Sequence, residues 1–81
     1  MKILFFGRLS ERLGREMEID LPADVRNVAD LRRLLAGLRP EAQSDFLGPS
    51  LRACVGDSIV GDDAPVSGAS EIAFFPPLSG G

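Results

Sequence analysis

The C-terminal stretch of the chain holds the residues whose types and spacing point most directly to chemistry. Residues 72–75 are apolar and predict a buried strand, which Pro76 and Pro77 end because proline has no N–H to donate to a sheet. The chain then finishes in Gly80 and Gly81. The residues after the strand could span roughly 20 Å, so we expect a tail that carries a bare Gly-Gly carboxylate into a narrow cleft of another protein. Glycine-rich chain ends are common, and it is the preceding strand and proline pair that make this one specific.

The rest of the chain has few side chains that could act as a general base, a nucleophile or a metal ligand. It contains no histidine, which removes the commonest general base and the commonest metal ligand. The single cysteine, Cys54, lies in a strand-like segment, and we interpret it as structural. Asp62 and Asp63 lack the glycine and glutamate spacing of a calcium loop, so no metal site is expected. We therefore do not expect this protein to be catalytic on its own.

Length and charge narrow the class of protein further. A chain of 81 residues makes one small domain with a single modest core. The net charge of −3 argues against a nucleic-acid-binding protein, which would need a basic face. No apolar run approaches the roughly 20 residues of a membrane span, and the apolar start is too short for a secretory signal. These features predict a cytoplasmic protein that binds neither nucleic acid nor membrane.

The first half of the chain predicts a hairpin and a helix. Residues 3–6 are apolar on both faces and predict a strand, residues 10–14 predict a loop or single turn, and residues 16–21 alternate as a half-buried strand does. Asn27 is the expected N-cap of the following helix, and Gly37 its expected end. The residues that form its apolar stripe are Val28, Leu31, Leu34, Leu35 and Leu38. Its basic residues, which we expect on a solvated surface, are Arg32, Arg33 and Arg39.

The second half predicts two or three further strands. A short turn within residues 40–48 is expected to pack Phe46 and Leu47 under the fold. Residues 51–55 alternate as a third strand, residues 56–58 form a tight turn, and a short apolar pair that includes Ile59 follows.

These elements predict an α+β fold of the β-grasp, or ubiquitin-like, type. One main helix would pack across one face of a mixed sheet, with the first and last strands side by side in its centre because only they are apolar on both faces. The domain would comprise residues 1–75, and residues 76–81 would form a protruding tail. If Ile3, Phe5, Ile72 and Phe74 face the helix, then Leu4, Phe6 and Phe75 face away, as an apolar patch for a partner.

Specific residues at both ends of the chain resemble a known family. These are Leu4-Phe5-Phe6 near the start, Ala73-Phe74-Phe75-Pro76-Pro77 near the end, and the terminal Gly80-Gly81. They are similar to the small subunits of molybdopterin synthase, the MoaD type of ubiquitin-like sulfur carrier. The chain departs from many members in having Ser10 before Glu11, where an Arg-Glu pair is common, and Gly56 in a turn that often carries Asn.

The resemblance implies a defined role for the C-terminus. An E1-like enzyme would adenylate the Gly81 carboxylate with ATP, and sulfur would then replace the adenylate to leave a thiocarboxylate. The tail would enter the large subunit of molybdopterin synthase and donate its sulfur to a cyclic pyranopterin precursor, building the dithiolene of the molybdenum cofactor. The resemblance implies no permanently bound cofactor. It places Phe6, Ile59 and Phe75 at the large-subunit interface, and Gly81 with Gly80 at the reacting end. The tail residues that it also implies in partner binding are Pro76, Pro77, Leu78 and Ser79.

Two other classes of function stay open at this point. Gly-Gly ends are shared with ubiquitin-like modifiers, which form isopeptide bonds, and with sulfur carriers for thiamine or tRNA thiolation. A β-grasp interaction module with an inactive tail is the remaining alternative. The Phe-Phe-Pro-Pro segment favours the molybdopterin synthase subunit.

Overall fold

The computed structural model describes residues 1–76, which form five strands, three α-helices and one 3-10 turn. The predicted tail lies outside the described residues from Pro77 onward, so its extended form stays a prediction. In chain order the elements are β1 (Lys2–Phe5), α1 (Arg8–Leu13), β2 (Glu16–Glu18), α2 (Val28–Leu38), the 3-10 turn (Pro40–Ala42), α3 (Gln43–Leu47), β3 (Arg52–Val55), β4 (Ser58–Val60) and β5 (Glu71–Phe75).

The five strands form one mixed sheet in the order β2-β1-β5-β3-β4. Strands β1 and β5 are parallel neighbours, with Ile3 opposite Ile72 and Phe5 opposite Phe74. The other neighbouring pairs are antiparallel. The prediction that the first and last strands lie side by side is therefore confirmed, and the α+β arrangement of a mixed sheet with a helix on one face is that of a β-grasp fold.

Helix α2 forms where the sequence predicts it and presents most of its apolar stripe to the sheet. Leu38 of the predicted stripe is the exception, since it is 52% exposed in the last turn of the helix. The predicted N-cap is confirmed, because Asn27 Oδ1 accepts a hydrogen bond from the Asp30 backbone N–H over 2.8 Å. The helix residues that are buried are Val28, Leu31, Leu35 and Ala36.

The predicted end of α2 at Gly37 is wrong. The helix continues through Gly37 to Leu38, and the residue that follows it, Arg39, has a φ of −131° rather than a left-handed conformation. Pro40 explains the end, because proline disfavours helical backbone in the residue before it.

Two boundaries in the first hairpin also differ from prediction. The segment predicted as a loop or single turn at residues 10–14 belongs largely to the six-residue helix α1, which buries the side chain of Leu9 in the core. The strand predicted over residues 16–21 pairs only as Glu16–Glu18. Its alternation is nevertheless correct, since Met17, Ile19 and Leu21 pack partly buried against the core.

The core lies between α2 and the side of the sheet that faces it, which we call the closed face. Phe46 of α3 lies at its centre and packs edge-on against Phe5 and Phe74, with ring centroids 6.0 and 5.9 Å apart. Leu47 was predicted to be packed with Phe46 but is 52% exposed, because neighbouring residues on a helix point in different directions. The residues exposed by 2% or less are Ile3, Phe5, Leu9, Val28, Leu31, Leu35, Ala42, Phe46, Val66, Ile72 and Phe74.

None of the helices between residues 1 and 76 is long and apolar enough to cross a membrane.

Candidate partner-binding face

The side of the sheet opposite the closed face, which we call the open face, carries a row of small and apolar side chains. The strand pairing places Leu4 opposite Ala73, Ala73 opposite Cys54, and Cys54 opposite Ile59. The row therefore crosses four strands, from β1 to β4. No element of residues 1–76 covers it, since α2 and α3 both pack on the closed face.

Two phenylalanines extend this row toward the end of β5. Phe6 follows β1, donates its backbone N–H to the Phe74 carbonyl over 3.1 Å, and leaves its side chain 51% exposed. Phe75 is the last residue of β5 and is partly buried. We define the open-face patch as Leu4, Phe6, Cys54, Ile59, Ala73 and Phe75. It confirms the predicted alternation, with Ile3, Phe5, Ile72 and Phe74 buried on the other side.

The root of the predicted tail, Pro76, lies directly beside this patch. Its ring packs on Gly7, and a Cβ added to Gly7 would lie only 2.9 Å from Pro76 Cγ. Gly7 also has a φ of 63°, which favours glycine over residues with a side chain. The close approach of Gly7 therefore sets where the chain leaves the sheet, at the same end of β5 as Phe75.

The structure brings some of the predicted site residues together and leaves others outside the described range. Phe6, Phe75 and Pro76 cluster at one end of the sheet, and Ile59 lies on the same face at 68% exposure on the edge strand. Sequence reasoning missed Cys54 and Ala73 as members of the patch, although the alternation of residues 51–55 turns Cys54 outward. The predicted site residues that lie outside the described residues are Pro77, Leu78, Ser79, Gly80 and Gly81.

The thiol of Cys54 has a hydrogen-bond acceptor two residues further along the chain. Its Sγ lies 3.3 Å from the Gly56 carbonyl, in the geometry of a weak S–H donor. Gly56, at a φ of 61°, makes the tight turn into β4 that the sequence predicted. This local contact agrees with the structural interpretation of Cys54.

Arg32 does not lie on a solvated helix surface as predicted. Its side chain is only 12% exposed, and its guanidinium links three segments of the closed side. Its Nε donates to the Phe46 carbonyl over 2.6 Å, its Nη2 donates to the Gly48 carbonyl, and its Nη1 pairs with Asp62 Oδ1 over 2.7 Å. These acceptors lie 14 to 30 residues away in the chain, so the sequence around Arg32 does not reveal them.

One carboxyl at the start of α2 has a perturbed acidity. The Arg26 backbone N–H donates to Asp30 Oδ2 over 3.0 Å, and this bond is the largest of the effects that hold the pKa of Asp30 below its ordinary value of 3.8. Arg33 adds to the effect, with its Nη2 lying 2.6 Å from Asp30 Oδ1. The lowered pKa follows from groups that stabilise the ionised form, and it belongs to helix capping rather than to a catalytic site.

Within residues 1–76 no three acidic or sulfur side chains converge in a way that could hold a metal ion. Asp62, one of the two aspartates considered above, pairs with Arg32 instead, and its backbone carbonyl accepts the N–H of Ala29 over 2.9 Å.

Comparison with known proteins places this geometry in context. A model of the ThiS family matches residues 3–81. The chain is 35% identical to the molybdopterin synthase sulfur carrier subunit of Escherichia coli (strain K12), over 100% of this chain and 99% of the relative. It is 38% identical to the protein of the same name from Dictyostelium discoideum, over 99% of this chain and 94% of the relative.

A solved structure shows the same architecture. The crystal structure of SAMP1 from Haloferax volcanii superimposes with a TM-score of 0.79 at 25% sequence identity, covering 99% of this chain and 97% of that one. The overall fold described above is therefore one that has been observed experimentally.

Proposed function

The chain belongs to the ThiS family, and we propose that it is the sulfur carrier subunit of a molybdopterin synthase. The observation that carries the proposal is its similarity, along its whole length, to two proteins that bear this name. The structure supports the proposal because β5 ends with Phe75 on the open face and Pro76 at the tail root, so one strand serves both docking and delivery of the C-terminus.

In this proposal the Gly81 carboxylate is the group that reacts. A carboxylate is a poor electrophile, so it first attacks the α-phosphorus of ATP on an E1-like enzyme, which forms an acyl-adenylate and releases pyrophosphate. A sulfur nucleophile at the oxidation level of sulfide then displaces AMP and leaves a thiocarboxylate at Gly81. Gly80 and Gly81 suit this passage because they carry no Cβ to obstruct a narrow channel.

The second half of the cycle takes place on the large subunit. The thiocarboxylate sulfur displaces an oxygen substituent from a carbon of the cyclic pyranopterin precursor, so that a C–S bond forms as a C–O bond breaks. Water then hydrolyses the acyl–sulfur bond, which leaves the sulfur on the precursor and returns Gly81 as a carboxylate. Each chain donates one sulfur, so two such transfers build the dithiolene. This chain has no histidine to act as general base, so the proton transfers fall to groups of its partners. Because the reaction consumes ATP and an intracellular precursor, the proposal places the protein in the cytoplasm.

The open-face patch is the proposed contact with the large subunit. Phe6 and Ile59 are exposed by 51% and 68%, which is costly for large apolar side chains unless a partner covers them. Aromatic side chains are frequent anchors of such interfaces. Phe6 and Phe75 lie next to Pro76, so docking of the patch would fix the position from which the tail enters the partner.

A second candidate stays within the same family. The matching family model carries the name ThiS rather than that of molybdopterin synthase, which leaves room for a carrier that supplies sulfur to another pathway, such as thiamine synthesis or tRNA thiolation. The two candidates share the chemistry at Gly81 and differ in which acceptor protein binds the open-face patch.

Intact-mass measurement tests the carrier chemistry directly. The purified chain is incubated with ATP, magnesium, sulfide and the E1-like enzyme of the molybdopterin pathway, and we expect one oxygen to be replaced by sulfur at Gly81. Addition of the large subunit and the pyranopterin precursor should then return the original mass and produce the dithiolene. An unchanged mass with a demonstrably active E1-like enzyme would reject the carrier role.

Two variants separate the tail from the fold in this experiment. Deletion of Gly81 should abolish thiocarboxylate formation while leaving the unfolding midpoint unchanged. Gly37→Ala is the matched control, because Gly37 lies within α2 with ordinary helical backbone and nothing within 4 Å of an added Cβ. It should retain full sulfur transfer.

A further inference from the structure

Two exposed arginines flank the tail root on different sides. Arg52 of β3 lies directly opposite Phe75 of β5, and it faces outward because its neighbour Ala53 is buried at 4% exposure. Alternation along β3 therefore puts Arg52 on the open face, at the edge of the open-face patch nearest to Pro76.

The second arginine approaches the tail root from the edge of the sheet. Arg8 begins α1, immediately after the glycine on which Pro76 packs, and it lines the same surface groove as Pro76. Asp45 also lines this groove, but its carboxylate pairs with Arg12 over 3.1 Å. We define Arg8 and Arg52 as the basic collar.

The collar differs from most other cations of the chain in having no carboxylate partner. Among residues 1–76, neither Arg8 nor Arg52 has an acidic group within 4 Å, whereas five of the nine basic side chains do. The remaining two, Arg15 and Arg26, do not line the groove that contains Pro76. Arg15 lies beside Phe5 on the side of β1 away from β5, and Arg26 precedes α2. The side chains that do have acidic partners are Lys2, Arg12, Arg32, Arg33 and Arg39.

The other end of the open face, where β5 begins, carries more acidic side chains than basic ones. There Lys2 lies between Glu18 and Glu71 in the strand pairing, and the N-terminal ammonium group also pairs with Glu18. Charge on the open face therefore runs from acidic residues where β5 begins, through the apolar patch, to Arg52 where β5 ends.

We propose that the basic collar pairs with carboxylates that the large subunit presents at the mouth of the cleft receiving the tail. The inference rests on the proposed function, because it names the chemistry of the partner surface around the open-face patch. Charges at the rim of an interface raise the association rate and fix orientation more than they raise affinity. Here they would turn the end of the sheet that carries the tail toward the cleft, so that tail entry and docking of the patch coincide.

The test measures association and dissociation rates of the full chain with the large subunit over a range of salt concentrations. The double variant Arg8→Gln/Arg52→Gln should associate about tenfold more slowly at low salt, with little change in the dissociation rate. In 1 M salt, where the Debye length is about 3 Å, the difference from the wild type should vanish.

Controls distinguish the collar from net charge and from the docking surface. Arg26→Gln/Arg39→Gln makes the same change in net charge at the two ends of α2, and it should associate as the wild type does. A double variant of the collar with unchanged rates and salt dependence, alongside a Phe75→Ala variant that binds weakly, would overturn the collar and leave the proposed function standing.

Failure of the proposed function gives a different result. If Phe75→Ala and the collar variant both bind as the wild type does, the open face is not the interface. If the wild-type chain does not bind the large subunit at all, the proposed function fails and the collar proposal fails with it. Association of the collar variant that is slower than that of the wild type at every salt concentration would also overturn the proposal. It would show that the substitutions changed the steric fit of the interface rather than its electrostatic attraction.

Discussion

The two faces of the sheet differ strongly in how far their apolar side chains are buried, although the same strands supply both. On the closed face, Ile3, Phe5, Ile72 and Phe74 are exposed by 2% or less. Their neighbours Leu4, Phe6 and Phe75 on the open face are of similar size and polarity, yet Phe6 remains 51% exposed. Because side chains alternate along a strand, a single residue step separates the surface that folds the chain from the surface proposed to bind a partner.

The faces also differ in how their polar groups are satisfied. The closed side holds Arg32, whose guanidinium has partners in three segments, and an N-capped helix. The open side holds Arg52, which has no carboxylate within 4 Å among residues 1–76. A protein of this size has a small core, so it depends on the closed side for stability and keeps the open side available for another molecule.

The sharpest test of this comparison uses two adjacent phenylalanines. Phe74→Ala should lower the free energy of unfolding by about 3–5 kcal/mol, because it removes a fully buried ring that packs against Phe46. Phe75→Ala should cost about 1 kcal/mol or less and should instead weaken binding to the large subunit. Urea denaturation and binding titration of both variants measure the two effects. The comparison fails if Phe75→Ala destabilises the fold as much as Phe74→Ala does.

A second pair of variants compares arginines on the two faces. Arg32→Gln should lower the free energy of unfolding by about 2–3 kcal/mol, because it leaves the Phe46 and Gly48 carbonyls without their charged donor. Arg52→Gln should change it by less than about 0.5 kcal/mol, as exposed substitutions usually do. Chemical denaturation of the single variants measures both values. Equal stability of the two variants would show that the contacts of Arg32 contribute nothing to the fold.

A smaller effect is expected at the cap of α2. Asn27→Ala should lower the free energy of unfolding by about 1 kcal/mol, because the Asp30 N–H loses the acceptor that it has in Asn27 Oδ1. Asn27→Asp should retain most of the stability, since aspartate caps helices as well as asparagine does. Thermal unfolding of the three proteins measures the ranking, and an Asn27→Asp variant as unstable as Asn27→Ala would argue against the capping bond.

The smallest expected effect is a dependence of stability on pH at the same end of α2. The pKa of Asp30 is lowered in the folded chain by the Arg26 backbone N–H and by Arg33, so its ionised form is favoured by folding. This contribution should be fully present above the ordinary value of 3.8 and should disappear as the pH falls through the lowered folded value. The unfolding midpoints of wild type and Asp30→Asn should therefore converge in strong acid, whereas a pH-independent difference would contradict this account.

Much of the fold could be predicted because its signals are local. The apolar stripe of α2 and its cap at Asn27 both lie within about a dozen consecutive residues, and they predict the start of the helix correctly. The alternation of residues 51–55 likewise predicts β3. The end of α2 was misplaced because Gly37 suggests a stop in isolation, whereas Pro40 determines it.

The candidate site was only partly predictable for a related reason. Phe6 and Phe75 could be assigned to the open face from alternation and from the order of the elements. Cys54 and Ala73 joined them only through the pairing of β3 with β5, which sets residues 19 positions apart in direct opposition. The resemblance to sulfur carriers supplied Ile59, which belongs to an edge strand of three residues.

The sequence by itself determined the helix start and the alternation of the strands, since each depends on neighbours a few positions away. Only the tertiary structure decided that the side chain of Arg32 is no more than 12% exposed and that Leu47 is 52% exposed. Only the tertiary structure showed that Arg8 and Arg52 both lie beside the tail root. The physical reason is that burial and charge pairing depend on atoms brought together from distant parts of the chain, and for Arg32 those atoms lie up to 30 residues away.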